Sequence, residues 1–497
     1  MKKIYIFLFI FSLIAMQPAT GQRKLLDKTF GNNGLVVTRT NNFNEAWGLA
    51  IQKDGKIVMS GVDWNYNYSS DQGLFLRRFE KNGRVDKTFG NEGVVIVSLP
   101  TSGSGFSMTL ADVPVALQED GKIILGGGDF FVQRYNTDGS LDRTFQHPLY
   151  SGFSRLNDLA VQPDGKVIAV GTVDEFAIGG MLIKRFNADG RYDSTFGVDG
   201  KMKIEFRYLE SATAYAVQLL PDGSYLIGGK TGSFSQVEMA LVKLKSDGQI
   251  DKSFGNDGMV ITVIPDNPDT RYGSINDLEL QADGRIVAGA TAQGATRNYA
   301  TILRYLPDGR LDSSFNGVGY VRDPNAQSSC WAVIIDEKGR ITGGGGTMIS
   351  PYPAKLNRYD KDGKPNISVE INPDGNCFAL AIQDGKIVAA GYHQPSYYIR
   401  ALAMGRFSDD TGLSQPVAVR ESEVKIYPNP VVSMLKVESD DLLHSTVTIT
   451  DVSGNIRYRS EAKANSLSIN VQQFPRGMYQ LSIEKQGHIL SRTFMKE

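Results

Sequence analysis

The chain has 497 residues, with 53 Lys and Arg, 54 Asp and Glu, and four His, so its formal net charge is −1. This length exceeds one ordinary hydrophobic core and predicts several domains or a repeat array. No basic stripe is present, which excludes the electrostatic footprint of a nucleic-acid-binding protein. The 53 Gly and 21 Tyr, without apolar patterns of helical length, favour short strands joined by tight turns.

Residues 1–21 have the order of a secretory signal peptide. Lys2 and Lys3 precede an apolar run at 4–16, and the small residues at 19–21 follow it. The apolar run is shorter than the roughly 20 residues of a membrane-spanning helix, although an uncleaved anchor is the alternative. We therefore predict residues 1–21 to be a signal peptide, with Gln22 at the mature N-terminus and no transmembrane segment in the mature chain.

One sequence element occurs seven times: an apolar stretch, Asp-Gly or Lys-Gly, and a second apolar stretch that ends in Gly. Asp-Gly between apolar runs is a strong hairpin signal because primed turns need positive φ. The copies lie at 50–61, 116–127, 160–171, 218–229, 279–290, 334–345 and 381–391.

A second element follows the first and consists of a short strand, a polar-Gly turn and Asp-x-Thr/Ser-Phe. We expect its Asp to accept hydrogen bonds from the backbone of the next two residues, and its Phe to pack between neighbouring sheets. The copies lie at 77–93, 133–145, 184–200, 242–258 and 303–319, with a degenerate one at 357–369, and their Phe residues are Phe89, Phe145, Phe196, Phe254 and Phe315.

Each repeat thus predicts four strands, and four-stranded units in this number form a propeller. The chain enters the array in mid-unit at 25–38 and leaves it in mid-unit at 402–414. We therefore predict that the strand at 35–38 pairs with the strand around 401–407 and closes the last unit. The predicted fold is all-β: a seven-bladed β-propeller of four-stranded blades over 22–412, followed by a small Ig-like β-sandwich.

The two elements in fixed order resemble the delta-60 repeat family over roughly 25–410. The resemblance is weakest in the sixth unit, where Glu337-Lys338-Gly339 replaces Pro-Asp-Gly and Asn366-Ile367-Ser368 replaces Asp-x-Thr-Phe. It implies a propeller and assigns no chemistry.

A linker at 413–422, which contains Pro416, separates the array from a C-terminal domain at 423–497. Alternating apolar strands with frequent turns predict a small antiparallel sandwich there. Tyr427-Pro428-Asn429-Pro430, Gly477-Met478-Tyr479 and the end at 494–497 strongly resemble the type A sorting domain of the Bacteroidetes type nine secretion system. The resemblance implies the secretion machinery as a partner and a location that is secreted or on the outer cell surface. The alternative is an ordinary sandwich with its own binding role.

The sequence offers little for catalysis or for a metal. His147, His393, His444 and His488 have no metal-ligand spacing, and neither His147 nor His393 lies near a nucleophile elbow. The carboxylates of Asp360 and Asp362 suggest calcium, but a calcium loop needs six or more oxygens and the same turn recurs in every unit. We therefore predict structural turns, no metal and no cofactor.

The two cysteines, Cys330 and Cys377, occupy equivalent positions on the inner strands of units six and seven. An oxidising destination permits a disulfide between them. The alternative is two small side chains that line the central channel.

A candidate ligand surface lies on the face of the disc where the connections vary in length, as recognition loops on a rigid scaffold do. These loops are rich in aromatic rings, which bury large areas at low entropic cost, although exposed Tyr can also simply decorate secreted loops. The aromatic candidates are Trp64, Tyr66, Tyr68, Tyr272, Tyr352, Tyr397 and Tyr398. The polar candidates, at the starts of the inner strands, are Glu45, Asp112, Arg155, Asp158, Ser274, Asp277 and Asn376.

Because a fold alone does not assign a function, two hypotheses from different classes stand beside each other. The favoured one is a binding or adhesion module for a polysaccharide, a peptide or an envelope protein. The other is a glycan-cleaving hydrolase or lyase with carboxylates or Tyr at the central pocket. A structural surface-layer component is a third.

Overall fold

A computed structural model describes most of the chain as β-strands and turns, and no helix occurs in the ranges it describes. The chain separates into one unit at Leu25–Asp410 and another from Thr411 to Glu497. The described residues are 25–38, 43–64, 72–98, 112–128, 130–148, 154–173, 179–206, 211–233, 236–264, 272–293, 298–323, 327–347, 353–372, 375–396, 399–408, 425–438, 442–443, 445–451, 455–485 and 488–497.

The strands of the first unit, in chain order, are β1 (Leu35–Thr38), β2 (Phe43–Ile51), β3 (Ile57–Trp64), β4 (Gln72–Phe79), β5 (Val94–Ser98), β6 (Val115–Leu117), β7 (Ile123–Gly127), β8 (Phe131–Tyr135), β9 (Ser154–Val161), β10 (Val167–Val173), β11 (Gly180–Phe186), β12 (Lys201–Ile204), β13 (Ser211–Leu219), β14 (Tyr225–Ser233), β15 (Gln236–Leu244), β16 (Met259–Thr262), β17 (Tyr272–Leu280), β18 (Ile286–Gln293), β19 (Asn298–Tyr305), β20 (Tyr320–Arg322), β21 (Ser328–Ile335), β22 (Ile341–Thr347), β23 (Ala354–Tyr359), β24 (Pro365–Asn372), β25 (Gly375–Gln383), β26 (Lys386–Ser396) and β27 (Ile399–Phe407).

These strands form antiparallel sheets that follow one another along the chain. We name them sheet 1 (β2–β5), sheet 2 (β6–β8), sheet 3 (β9–β12), sheet 4 (β13–β16), sheet 5 (β17–β20), sheet 6 (β21–β24) and sheet 7 (β25–β27 with β1). The first strand of each sheet contacts the first strand of the next, and β2 contacts β25. The first strands therefore surround an axis, which is the arrangement of a β-propeller.

Sheet 2 has three strands in the described residues, where the repeat predicts four. The segment after Phe145 runs through Pro148, which has no backbone N–H to donate to a ladder. The described part of this segment forms no strand.

The first strand of the chain completes the last sheet, as the half-units at the two ends predict. β1 pairs antiparallel with β27, with Leu35 opposite Gly405 and Thr38 opposite Leu402. An isolated bridge between Leu26 and Phe407 extends the pairing. The closure predicted from the sequence is confirmed.

The repeated Phe packs against the following sheet at every boundary except that between sheets 6 and 7, in agreement with the packing predicted for it. Phe30, for example, is fully buried, and a Cβ added to Gly83 of the following sheet would lie 2.9 Å from its ring. Gly83 has φ = 82°, so the turn above the ring requires glycine for both space and backbone conformation. Phe89, Phe145, Phe196, Phe254 and Phe315 lie in the same way beneath Gly139, Gly190, Gly248, Gly309 and Gly363.

A basic residue on the third strand holds the Asp of the Asp-x-Thr/Ser-Phe elements; it is Lys243 for Asp251 of sheet 4 and an arginine in the other copies. The Asp accepts from the backbone N–H and the hydroxyl of the residue two positions on, as Asp86 does from Thr88. We expected two backbone donors, but the Thr or Ser hydroxyl takes the second place. The Arg–Asp pairs are Arg78–Asp86, Arg134–Asp142, Arg185–Asp193, Arg304–Asp312 and Arg406–Asp27, with Nε 2.6–2.8 Å from Oδ2.

Sheet 6 departs from this pattern. Asn366 replaces the Asp and no Phe follows it, and the segment instead forms β24, which pairs with β23 from Pro365 to Asn372. The boundary between sheets 6 and 7 is filled by apolar side chains such as Leu356, Val369 and Phe407.

The C-terminal unit contains two antiparallel sheets, β28-β29-β32 and β31-β30-β33-β34, around one buried apolar cluster that includes Leu435, Ile449 and Leu481. Its strands are β28 (Lys425–Tyr427), β29 (Met434–Glu438), β30 (Thr446–Asp451), β31 (Ile456–Glu461), β32 (Ser466–Asn470), β33 (Gly477–Lys485) and β34 (His488–Lys496).

Candidate functional site

The first strands of six sheets carry a β-bulge at one shared position. The bulge leaves one residue without a cross-strand partner and re-aims its side chain. Because these strands surround the axis, the bulged residues form one layer around it. They are Trp47, Asn157, Tyr215, Asn276, Trp331 and Phe378.

Three bulged aromatic residues of neighbouring sheets meet in this layer. Trp47 stacks on Phe378 with ring centroids 3.9 Å apart and planes 5° apart. Trp331 meets Phe378 edge-on at 5.9 Å, and Tyr392 of β26 lies 5.7 Å from the same ring. All four side chains are half-buried, so they form a partly exposed aromatic cluster over sheets 6, 7 and 1.

An ion pair borders the aromatic cluster. The carboxylate of Glu45 is buried, at 3% exposure, and accepts from Arg400 of β27 and, at 3.1 Å, from Nε1 of Trp47. The guanidinium of Arg400 lies 4.5 Å from the centre of the Tyr392 ring. Glu45, a residue predicted from the sequence, thus connects the ion pair to the cluster.

Trp331 contributes a hydrogen-bond donor that the described residues do not use. Its Nε1 is buried and has no acceptor in the described part of the chain. A buried indole N–H normally has a partner. The cluster therefore carries one spare donor.

Two predicted carboxylates connect adjacent inner strands. Asp158 accepts from Leu159 N–H and from Val217 N–H of sheet 4, both at 2.8 Å. Asp277 accepts from Leu278 N–H at 2.8 Å and from Val333 N–H of sheet 6 at 2.7 Å. Both oxygens of each carboxylate are used, so these residues stabilise the contact between sheets.

Burial raises the pKa of these carboxyl groups towards neutrality. Burial raises the pKa of Asp158 to about 8. The hydrogen bond from Val217 lowers this pKa, but burial outweighs it, and the negative charge of Asp277 raises the pKa further. Burial raises the pKa of Asp277 to about 7, and burial with the charge of Asp277 raises that of Glu279 to about 8. The pKa of Asp112 rises to about 7 through burial, which the nearby Arg155 opposes.

The other predicted site residues are dispersed or lie outside the described ranges. Asn376 is half-buried beside the cluster and accepts from Cys377 N–H at 3.0 Å. Tyr272, also half-buried, begins β17 of sheet 5, and Trp64 ends β3. Tyr66, Tyr68, Tyr352, Tyr397 and Tyr398 lie outside the described residues.

Sequence reasoning missed Trp47, Trp331, Phe378, Tyr392 and Arg400. A signal for three of them was present. Trp47, Trp331 and Phe378 each stand three residues before the start of the repeated apolar stretch, at Ala50, Ile334 and Ala381. Alignment of the inner strands on that stretch shows the aromatic position.

The two cysteines occupy equivalent places next to their bulges, and both are free thiols. Neither lines the channel: a Cβ on Gly343 would lie 3.0 Å from Cys330 Sγ, and one on Gly344 would lie 2.9 Å from Cys377 Sγ. Each thiol therefore packs between two sheets against β22. Burial raises the pKa of Cys377 to about 12 and raises that of Cys330 further.

No cluster of three or more His, Cys, Asp or Glu able to hold a metal ion occurs in the described ranges. In the same ranges no helix has the length and apolarity needed to cross a membrane.

Comparison with solved structures gives distant similarities. PorZ, a surface component of the type IX secretion system of Porphyromonas gingivalis, matches with 13% identity and a TM-score of 0.38, over 90% of this chain and 59% of that one. A protein of unknown function from Dyadobacter fermentans matches with 12% identity and a TM-score of 0.42, over 76% and 98% of the two chains. The polysaccharide lyase Uly1 matches with 12% identity and a TM-score of 0.47, over 73% and 89%. No curated protein matches the sequence.

Two family models match the sequence directly. The model for the DUF5122 β-propeller, a domain of unknown function, matches at 52–89, 118–145, 162–196, 220–254 and 281–315. The model for the secretion system C-terminal sorting domain matches residues 425–497. The chain therefore carries five DUF5122 β-propeller repeats and, after them, a type nine secretion system sorting domain, and it is a protein that is secreted or attached to the outer cell surface.

Proposed function

We propose that this protein is a binding module that works outside the cell and holds a polysaccharide, a peptide or an envelope protein at the mouth of its axis. In this proposal residues 1–21 are a removed signal peptide and 22–412 form a closed seven-bladed propeller. Residues 413–422 are a linker, and 423–497 form an Ig-like sandwich.

The observation that carries this proposal is the aromatic cluster with its bordering ion pair. The rings of this cluster, Trp47, Phe378 and Trp331, are partly exposed. The repeat does not require an aromatic residue at their position, because Val113 and Asn157 occupy the equivalent places in sheets 2 and 3. Partly exposed rings beside oriented polar groups are typical of ligand sites.

Glycan cleavage is the second candidate, and the raised pKa values of Asp158 and Asp277 favour it, since a general acid must hold its proton near neutral pH. Against it, both oxygens of each carboxylate accept backbone hydrogen bonds. A carboxylate engaged in this way is poorly placed to reach a glycosidic oxygen. Binding is therefore the better-supported function.

One experiment separates the two candidates. The mature chain is incubated with a panel of polysaccharides, and both retention of the protein and formation of new reducing ends are measured. We expect retention without new reducing ends. New reducing ends that disappear in Asp158→Asn or Asp277→Asn would reverse the assignment.

The variable loops are tested in the same assay. Replacement of Trp64, Tyr66 and Tyr397 by Ala should weaken retention and leave the melting temperature unchanged, because aromatic rings on variable recognition loops contribute to binding more than to folding. Unchanged retention would limit the site to the aromatic cluster.

A further inference from the structure

We propose that the ligand is an uncharged polysaccharide and that it lies against one side of the axis, over sheets 6, 7 and 1. This inference rests on the binding function proposed above. It adds the chemical class of the ligand and the side of the axis on which the ligand binds.

The position follows from where the molecule departs from its own repeat. Four of the bulged residues are aromatic, and three of these, Trp331, Phe378 and Trp47, lie on consecutive sheets, with the central Phe378 in contact with both tryptophans. Tyr392 and Arg400 extend the same cluster along sheet 7. In sheet 5 the position equivalent to Tyr392 holds Thr291, which lies opposite Ser274. The aromatic contacts are thus concentrated on one side.

The chemistry of the cluster matches a sugar ring. A pyranose has apolar C–H faces and a rim of hydroxyls, so it suits flat rings beside planar polar groups. Asn376, Glu45 and Arg400 supply those groups next to Phe378 and Trp47. The unused N–H of Trp331 supplies a donor for a sugar oxygen, which would satisfy an otherwise costly buried group.

The charges around the axis favour an uncharged ligand. The charge of Arg400 is matched by Glu45, so the cluster itself has no net charge. Burial raises the pKa of Asp158, Asp277 and Glu279 to about 8, 7 and 8, and the charge of Asp277 adds to the rise at the other two. These carboxyl groups therefore hold their protons up to near neutral pH, and none of them supplies the positive charge that a polyuronate needs.

The first test is the class of polymer. The mature full-length chain is run in native affinity gels that contain oat β-glucan, yeast mannan or soluble starch, and in gels that contain alginate or polygalacturonate. We expect retardation by at least one uncharged polymer, insensitive to 0.5 M NaCl, and none by the two acidic ones. Retardation only by acidic polymers would overturn the inference. Failure of every uncharged polymer to retard the protein would also overturn the inference. If the protein then binds a peptide library, the binding function proposed above still stands.

The second test is the position of the site. Trp331→Phe keeps an aromatic ring and removes an N–H that has no acceptor in the described structure. We expect an unchanged melting temperature and an affinity about threefold to tenfold lower, the value of one hydrogen bond. Phe378→Leu keeps the apolar volume and removes the flat ring, and should weaken binding similarly.

Two further variants complete the design, and the first of them is the control. Tyr215→Phe changes the equivalent bulged residue of sheet 4, away from the cluster, and should bind as the parent chain does. Trp47→Phe removes an N–H that Glu45 accepts, so it should lower both affinity and melting temperature. Equal affinity of Trp331→Phe, Phe378→Leu and the parent chain would overturn the assigned position, even if an uncharged polymer is bound.

Discussion

Arg406 donates from Nε to Oδ2 of Asp27 at 2.8 Å, although the two residues are 379 positions apart in the chain. Lys386 reaches the same oxygen at 2.7 Å, and a second nitrogen of Arg406 donates to the carbonyl of Lys81 in sheet 1 at 2.7 Å. One arginine therefore connects the start of the array, its last sheet and its first sheet.

Loss of this pair should destabilise the whole first unit. Asp27 and Arg406 have side chains only 6% and 7% exposed, and removal of one partner leaves a buried charge uncompensated. We expect Asp27→Ala to lower the free energy of unfolding by about 3–5 kcal/mol, measured by urea denaturation. The matched control is Asp251→Ala in sheet 4, whose partner Lys243 is 17% exposed, with an expected loss of about 1 kcal/mol. Equal losses would contradict a special role for the closing pair.

Deletion of residues 25–40 tests closure as a whole. The deletion removes β1, Asp27 and Phe30, so it opens the pairing with β27 and empties the space beneath Gly83. We expect a melting temperature well below that of the parent chain, measured by calorimetry. A variant that melts like the parent would show that β1 is a dispensable tail.

Stability should be greatest in weak acid. Burial acts to raise the pKa of Asp27, Asp86, Asp142 and Asp193, but hydrogen bonds from neighbouring lysine and threonine side chains outweigh it and hold each pKa well below 3.8. A depressed pKa contributes stability that is present above the unfolded value and lost as the pH falls below about 4.

The carboxyl groups at the axis act in the opposite direction. Their pKa values are raised to about 7 or 8, so their contribution is complete below the unfolded value and lost as the pH rises through 8. Melting temperatures between pH 2.5 and 9 should therefore peak at about pH 4–5. Glu279→Gln, which keeps the shape, should flatten the decline between pH 5 and 8. A melting temperature that rises steadily from pH 4 to 8 would contradict both assignments.

The contact of Cys377 with β22 predicts that substitutions of Cys377 and Gly344 have coupled effects on stability. A Cβ on Gly344 would lie 2.9 Å from Cys377 Sγ, so Gly344→Ala should cost about 1–3 kcal/mol of stability by overpacking. Cys377→Ala should remove part of that cost in the double variant, with a coupling of about 1 kcal/mol. Gly73→Ala, whose Cβ would meet its neighbours only at 3.5 Å, is the control and should change stability little. Additive single effects would disprove the contact.

Limited proteolysis should cut first at residues 413–422. The composition of this segment is that of a linker crossed by few contacts, and the segment begins just after the boundary between the two units at Asp410. Mass spectrometry should find one fragment ending near residue 410 and another that contains 425–497. Early cuts within sheets 1–7 would argue against two independent domains.

The strands, their turns and the closure by β1 could be predicted because each is encoded within a short segment. Phe89 lies beneath Gly139 as expected, since Asp-x-Thr-Phe fixes the turn locally. The aromatic cluster could not be read in this way. Trp47 and Phe378 are distant in sequence, and they meet only because the ring of sheets closes and a bulge shifts both side chains out of the alternation that a regular strand predicts.

The cysteines illustrate the same limit. Their equivalence follows from alignment, but whether they face the channel or a neighbouring sheet depends on the side of the strand, and the bulge next to each residue changes that side. Gly343 and Gly344 leave the space that the two thiols fill, a relation between three sheets that no single segment contains.

The pairing of β1 with β27 also determines when the protein can finish folding. A loop of several hundred residues must close, at an entropic cost of about 5 kcal/mol, and contacts of such high sequence separation form slowly. Until residue 407 has emerged and met residue 35, β27 remains an open edge. At high concentration the β1 segment of a second molecule competes for that edge, so exchange of this strand between two chains is the expected form of misassembly.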